Sequence, residues 1–105
     1  MTASMLELPQ LTGTRERARQ LIASAHLPSN LSGLTVVVDA GATLAGTESF
    51  ADELVRTILV DRNGSKLVVY FVGPEFGEKL KAAAWLHRVA SKLDIQGGPA
   101  PRLDE

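Results

Sequence analysis

The chain has 105 residues, 45% of them hydrophobic, and a net charge of −1. That is enough for one domain with a real core, and it argues against wholesale disorder. The absence of cysteine excludes disulfides, thiolate catalysis and cysteine-based zinc sites, and the charge balance lacks the basic excess of a nucleic-acid binder.

No apolar run approaches the ~20 residues needed to span a bilayer. Residues 1–10 lack the basic start and long apolar region of a signal peptide. The expected location is therefore the cytoplasm. The expected organisation is a single domain over 1–95 with a flexible tail over 96–105, where the Gly- and Pro-containing run begins.

In chain order, Met5, Leu6 and Leu8 suggest a short first strand ended by Pro9. A helix is predicted from Thr14, whose hydroxyl suits an N-cap. Its stripe is Ala18, Leu21, Ile22 and Ala25, and it ends before Pro28. Residues 28–33 form a loop. The run LTVVVD over 34–39 reads as a buried strand, covered on both faces or set inside a parallel sheet.

A loop follows, with Gly41 and Gly46 as its flexible points. A second helix is predicted from Thr47 or Ser49 to about Val60, with Phe50, Leu54 and Ile58 on one stripe. Asp52 and Glu53 then suit the helix dipole. Asn63-Gly64 supplies positive-φ positions to close it. Residues 66–72 read as a strand. Pro74 opens a last helix, in which Phe76, Leu80, Ala83, Leu86, Val89, Ala90 and Leu93 share a broad face. Asp94 and Ile95 add a short edge strand at best.

The alternation β-α-β-α-β-α predicts a small α/β sandwich. It has a mostly parallel or mixed sheet of three to four strands and three helices. Right-handed crossovers bring the loops 9–14, 39–49 and 73–75 to one sheet edge.

Catalytic signals are weak. Ser49 at a helix start would need a base. Of the two histidines, His26 sits at a helix end and His87 inside the last helix beside core positions. Residues 46–50 fail the G-x-S-x-G pattern at its last glycine. Asp39, Glu48 and Asp52 lie near one loop and suit magnesium. A strand-end aspartate plus two acids at a helix N-terminus is the simpler account. Residues 41–46 lack the Gly-Lys pair of a phosphate loop. Trp85 and residues 82–84 are expected to pack against the sheet or a partner. No cofactor is implied.

The segments VVVD at 36–39 and TESFADEL at 47–54 resemble the bacterial STAS-like family of unknown function. That family is related to the STAS domains of anti-sigma factor antagonists and sulfate transporters. The resemblance covers residues 14–90, and its sharpest motif is SFADEL at 49–54. In the antagonists, a serine in the loop before the matching helix is phosphorylated by a partner kinase that is also an anti-sigma factor. Counted from Asp39, that serine falls on Glu48, the next on Ser49 and the preceding aspartate on Thr47. Glu48 cannot be phosphorylated, but its charge at a helix start imitates part of a phosphate's.

The resemblance therefore implies a non-enzymatic module that docks a protein partner, a histidine-kinase-type ATPase or anti-sigma factor. The implied surface is Asp39, Thr47, Glu48, Ser49 and Phe50, with Thr47 or Ser49 as a phosphorylation switch. Capping alone also explains both hydroxyls. The alternatives are a small-molecule or nucleotide site on the same loop edge and a hydrolase built on Ser49.

Overall fold

A computed structural model describes residues 3–7, 11–25, 27, 29–40 and 45–96. The fold is α/β: a parallel sheet carrying three helices. The main strands are β1 (Ala3–Glu7), β3 (Thr35–Asp39), β5 (Lys66–Tyr70) and β6 (Leu93–Ile95). They pair in the order β1-β3-β5-β6, all parallel. A second, two-stranded parallel ladder joins β2 (Leu11–Thr12) to β4 (Ala45–Gly46). The helices are α1 (Arg15–Ser24), α2 (Glu48–Val55) and α3 (Pro74–Leu86).

Each main strand is added beside the previous one. Right-handed crossovers then place every helix on the same face of the sheet. Burial follows this one-sided winding. Val36, Val38, Leu67 and Val69 join a core cluster with residues of all three helices, including Ile22, Phe50, Leu54 and Leu80. The Val37–Val68 pair lies on the other face. The apolar run at 34–39 is thus a strand inside a parallel sheet, and its helix-covered face is the one carrying Val36 and Val38.

Local chemistry sets the helix boundaries. Thr14 and Thr47 cap α1 and α2, their hydroxyls accepting from the N–H of Arg17 at 3.0 Å and of Phe50 at 3.1 Å. Gly73 precedes Pro74 at the start of α3. After α2 the chain widens into a π-helical stretch, Arg56–Asp61, which still buries Ile58 and Leu59. Asn63 then takes φ 56°. Gly64 is required for a different reason than the expected positive φ. A Cβ there would lie 2.7 Å from the Ile58 carbonyl oxygen.

Several boundaries differ from expectation. The first strand is Ala3–Glu7, shifted N-terminal of 5–8, and Leu8 lies outside the described residues. Gly41, His26, Pro28 and the tail from residue 97 also lie outside them. The third main strand stops at Tyr70, because Phe71 turns the chain at φ 59°. The last helix ends at Leu86. Arg88 at φ 61° closes it, with the Val89 N–H donating to the Ala84 carbonyl at 2.8 Å and the Arg88 N–H to the Trp85 carbonyl at 3.1 Å. Leu86 and Ala90 are therefore exposed, and Leu93 belongs to β6. Trp85, expected to pack against the sheet or a partner, is 79% exposed and so does not pack against the sheet.

Two stability measurements follow. Phe50 is fully buried and its ring meets Phe76 at 6.2 Å between centroids. Phe50→Ala should lose about 3–5 kcal/mol in urea unfolding. Arg88→Gly removes the cost of a left-handed non-glycine residue and should gain up to about 1 kcal/mol in the same assay.

Candidate docking cleft between two helix starts

The sheet edge at the strands' C-terminal ends is stitched from three loops. The β2–β4 ladder pairs Thr12 with Gly46. The Thr47 hydroxyl donates to the Gly13 carbonyl at 3.1 Å. From α3, the Lys79 ammonium donates to the Gly46 carbonyl at 2.7 Å. Of the three loops expected to meet there, 9–14 and 39–49 are tied directly, and the third side is closed by Lys79 within α3, with Pro74 and Glu75 lining the same cleft. Thr47 thus uses its hydroxyl twice, as cap and as tie.

Between the first turns of α2 and the outer side of α3 lies a cleft of about 920 Å³. Its floor includes Pro74, Ala82, Ala83 and Leu86, and its polar rim Glu48, Ser49, Asp52, Glu75, Glu78, Arg15 and Lys79. Four of these are carboxylates and two are cations. Both cations are already held, Arg15 by Asp52 and Lys79 by Gly46.

Two consecutive carboxylates on α2 tie it to its neighbours. Asp52 accepts from Arg15 of α1, and its Oδ1 lies 2.6 Å from Nε2 of His87 at the end of α3. Glu53, 1% exposed, accepts from Arg19 of α1 at 2.9 Å, from Arg56 at 2.8 and 3.0 Å, and from the Thr57 hydroxyl at 3.2 Å. Burial pushes both carboxyls up. The hydrogen bonds outweigh it, from Arg15 and His87 on Asp52 and from Arg19 and Arg56 on Glu53, and both end below their ordinary values. The Arg15 guanidinium is correspondingly raised by its bond to Asp52.

The expected site residues separate. Glu48 and Ser49 are exposed and line the cleft. Thr47 is exposed and sits at its entrance as the cap. Phe50 is a correction: its ring is wholly inside the core, because position 50 falls on the inward stripe of α2, so it supports the surface without forming part of it. Asp39 is at the same sheet edge. However, it shares the strand face of Val37, away from the helices, and does not line the cleft. Among the described residues, Asp39, Glu48 and Asp52 are not gathered into a metal-ligating group.

His87 is a second correction. It caps the end of α3 and bonds Asp52, one helical turn from Ser49. The Ser49 side chain makes no hydrogen bond among the described residues.

Sequence reasoning missed Arg15, Glu75, Glu78 and Leu86 as lining residues of this cleft. The spacing of Arg15 and Arg19 at i, i+4, opposite adjacent acids on the next helix, was the available signal for the ion pairs. No family model matches this chain, and neither a curated protein nor a solved structure was found to match it. No helix among the described residues is long and apolar enough to cross a membrane.

The depressed carboxyls carry a pH dependence. Their stabilisation is complete above the ordinary values of 3.8 and 4.5 and is lost as pH falls through the lower folded values. The melting midpoint should therefore fall below about pH 4.5, and more shallowly in Glu53→Gln. At neutral pH, Glu53→Ala should cost about 1–3 kcal/mol, because several charge-assisted hydrogen bonds are lost while the guanidiniums left behind, 59% and 38% exposed, turn to water.

Proposed function

We propose that this chain is a non-enzymatic regulatory module that docks a protein partner at the cleft between α2 and α3. The observation that carries this reading is the display of Glu48 and Ser49. Both are exposed at the cleft mouth, on a first turn fixed by the Thr47 cap. Loops at such an edge, held on a packed scaffold, are where α/β folds place working residues.

The resemblance of SFADEL at 49–54 to the STAS-like family supports the same reading. On that likeness the partner is a histidine-kinase-type ATPase or anti-sigma factor. A phosphorylation switch falls better on Ser49 than on Thr47, because Thr47 spends its hydroxyl on the cap and on Gly13. A phosphate on Ser49 would stand beside Glu48 and Asp52 and deepen the negative charge of the cleft mouth, changing its attraction for a charged partner. The module works without cofactor, nucleic acid or membrane, and its place is the cytoplasm.

A hydrolase built on Ser49 finds little support, since the Ser49 hydroxyl makes no hydrogen bond to His87 or to another base among the described residues. A small-molecule or nucleotide site in the same cleft is the second reading. It gains from the apolar floor, but loses from a rim with twice as many carboxylates as cations, which opposes an anion.

Ser49→Asp and Glu48→Lys should each alter capture of the native partner, the lysine weakening it, while moving the melting midpoint by no more than about 2 °C. Retention of the wild-type partner by both variants would contradict the reading. A nucleotide that raises the midpoint in a thermal-shift screen would favour the second.

A further inference from the structure

Two of the four exposed large apolar side chains among the described residues are adjacent on one element, while Val60 and Phe71, each 44% exposed, lie elsewhere. Trp85 is 79% and Leu86 72% exposed at the end of α3, although surface helices ordinarily place large apolar groups inward. Leu86 floors the acidic cleft together with Ala82, Ala83 and Pro74. It also lines, with Trp85 and Arg88, an adjoining hollow. The two depressions are thus one continuous apolar track along α3.

The charges along the cleft part of that track are mostly acidic, while Arg88 stands at its Trp85 end. Glu48 and Glu75 have no hydrogen-bond or ion-pair partner among the described residues. Glu78 has only a 3.4 Å contact to Lys81, with both side chains exposed, a pairing that contributes little. The two cations of the rim are tied down by protein groups, so neither is available to a ligand. An occupant that buries Leu86 and Trp85 must also pass these carboxylates. Like charge there would be repelled, and a cation would gain both the Coulomb attraction and the face of an indole.

We propose that the groove along α3 receives a cationic, apolar-faced segment of the partner, with arginine or lysine beside Glu48, Glu75 and Glu78 and apolar groups on Leu86 and Trp85. This rests on the docking reading above and names the chemistry of the partner's contact. The apolar track supplies the buried centre of the interface and the acids its rim. The acids fix register and exclude acidic segments.

Trp85 is the sole tryptophan and reports occupancy directly by its emission. The probes are two synthetic peptides of about 18 residues with leucine at helical spacing, one with an all-arginine polar face and one with an all-glutamate face. The leucine–arginine peptide should saturate a blue shift of Trp85 emission and the leucine–glutamate peptide should not. Glu75→Lys with Glu78→Lys should weaken the arginine peptide about tenfold or more, and Leu86→Ser should weaken it with the melting midpoint unchanged.

Equal binding of the two peptides, or arginine-peptide binding that the charge-reversed variant leaves unchanged, would overturn the proposal. So would a dimer in sedimentation that Trp85→Ser dissolves, since a second copy would then be the occupant. Native-partner capture that depends on Glu48 and Ser49 but resists competition by the arginine peptide overturns this inference alone. Peptide binding that obeys the Glu75, Glu78 and Leu86 variants, together with capture insensitive to Glu48 and Ser49, supports the groove and overturns the earlier reading instead.

Discussion

Two neighbouring carboxylates on α2, Asp52 and Glu53, hold the helical layer in register. Consecutive positions on a helix point about 100° apart, so adjacent acids can reach different neighbours. Glu53 turns inward to Arg19 of α1 and to Arg56, while Asp52 turns to Arg15 of α1 and to His87 of α3. A buried carboxylate is costly to desolvate, and Glu53 persists because its oxygens are bonded from both sides. Such a grip gains little net stability over an apolar contact. What it fixes is the orientation of α2 between its neighbours, and hence the separation of the cleft walls.

The second constraint is topological. Adding each parallel strand beside the last leaves all three helices on one face, starting at the same sheet edge. Each helix start then lies near the next, and short polar ties between loops are enough to lock them. Thr47 reaches Gly13 and Lys79 reaches Gly46. Near this edge Phe71, a non-glycine residue at φ 59°, also leaves a half-exposed aromatic ring. A rigid, capped rim with exposed carboxylates and an apolar helix track is the surface on which the proposed docking rests.

Much of the fold was legible because strong local signals agreed with it. Apolar runs at 34–39 and 66–72 marked the central strands, Thr14, Thr47 or Ser49, and Pro74 marked the helix starts, and alternation implied a parallel or mixed sheet without its strand order. The end of the last helix was not legible, because its left-handed closing residue is Arg88, where glycine would have announced it. Without that break, periodicity ran on through Leu86, Val89 and Leu93 as though they shared one face. For the site, Glu48 and Ser49 were legible as helix-start residues. Phe50 was grouped with them by adjacency, though its place on the inward stripe already argued for the core. The His87–Asp52 bond joins residues 35 apart in the chain, and no local pattern encodes such a pairing.

The account stands on the groove between α2 and α3 being the surface a partner covers. Hydrogen exchange of the chain with and without the partner it captures from its native cells tests this most directly. Slowed exchange concentrated at residues 47–50 and 75–88 is the predicted result. Slowed exchange confined to residues 35–39 and 66–70, with the helix starts unchanged, would place the partner on the opposite face of the sheet and contradict it.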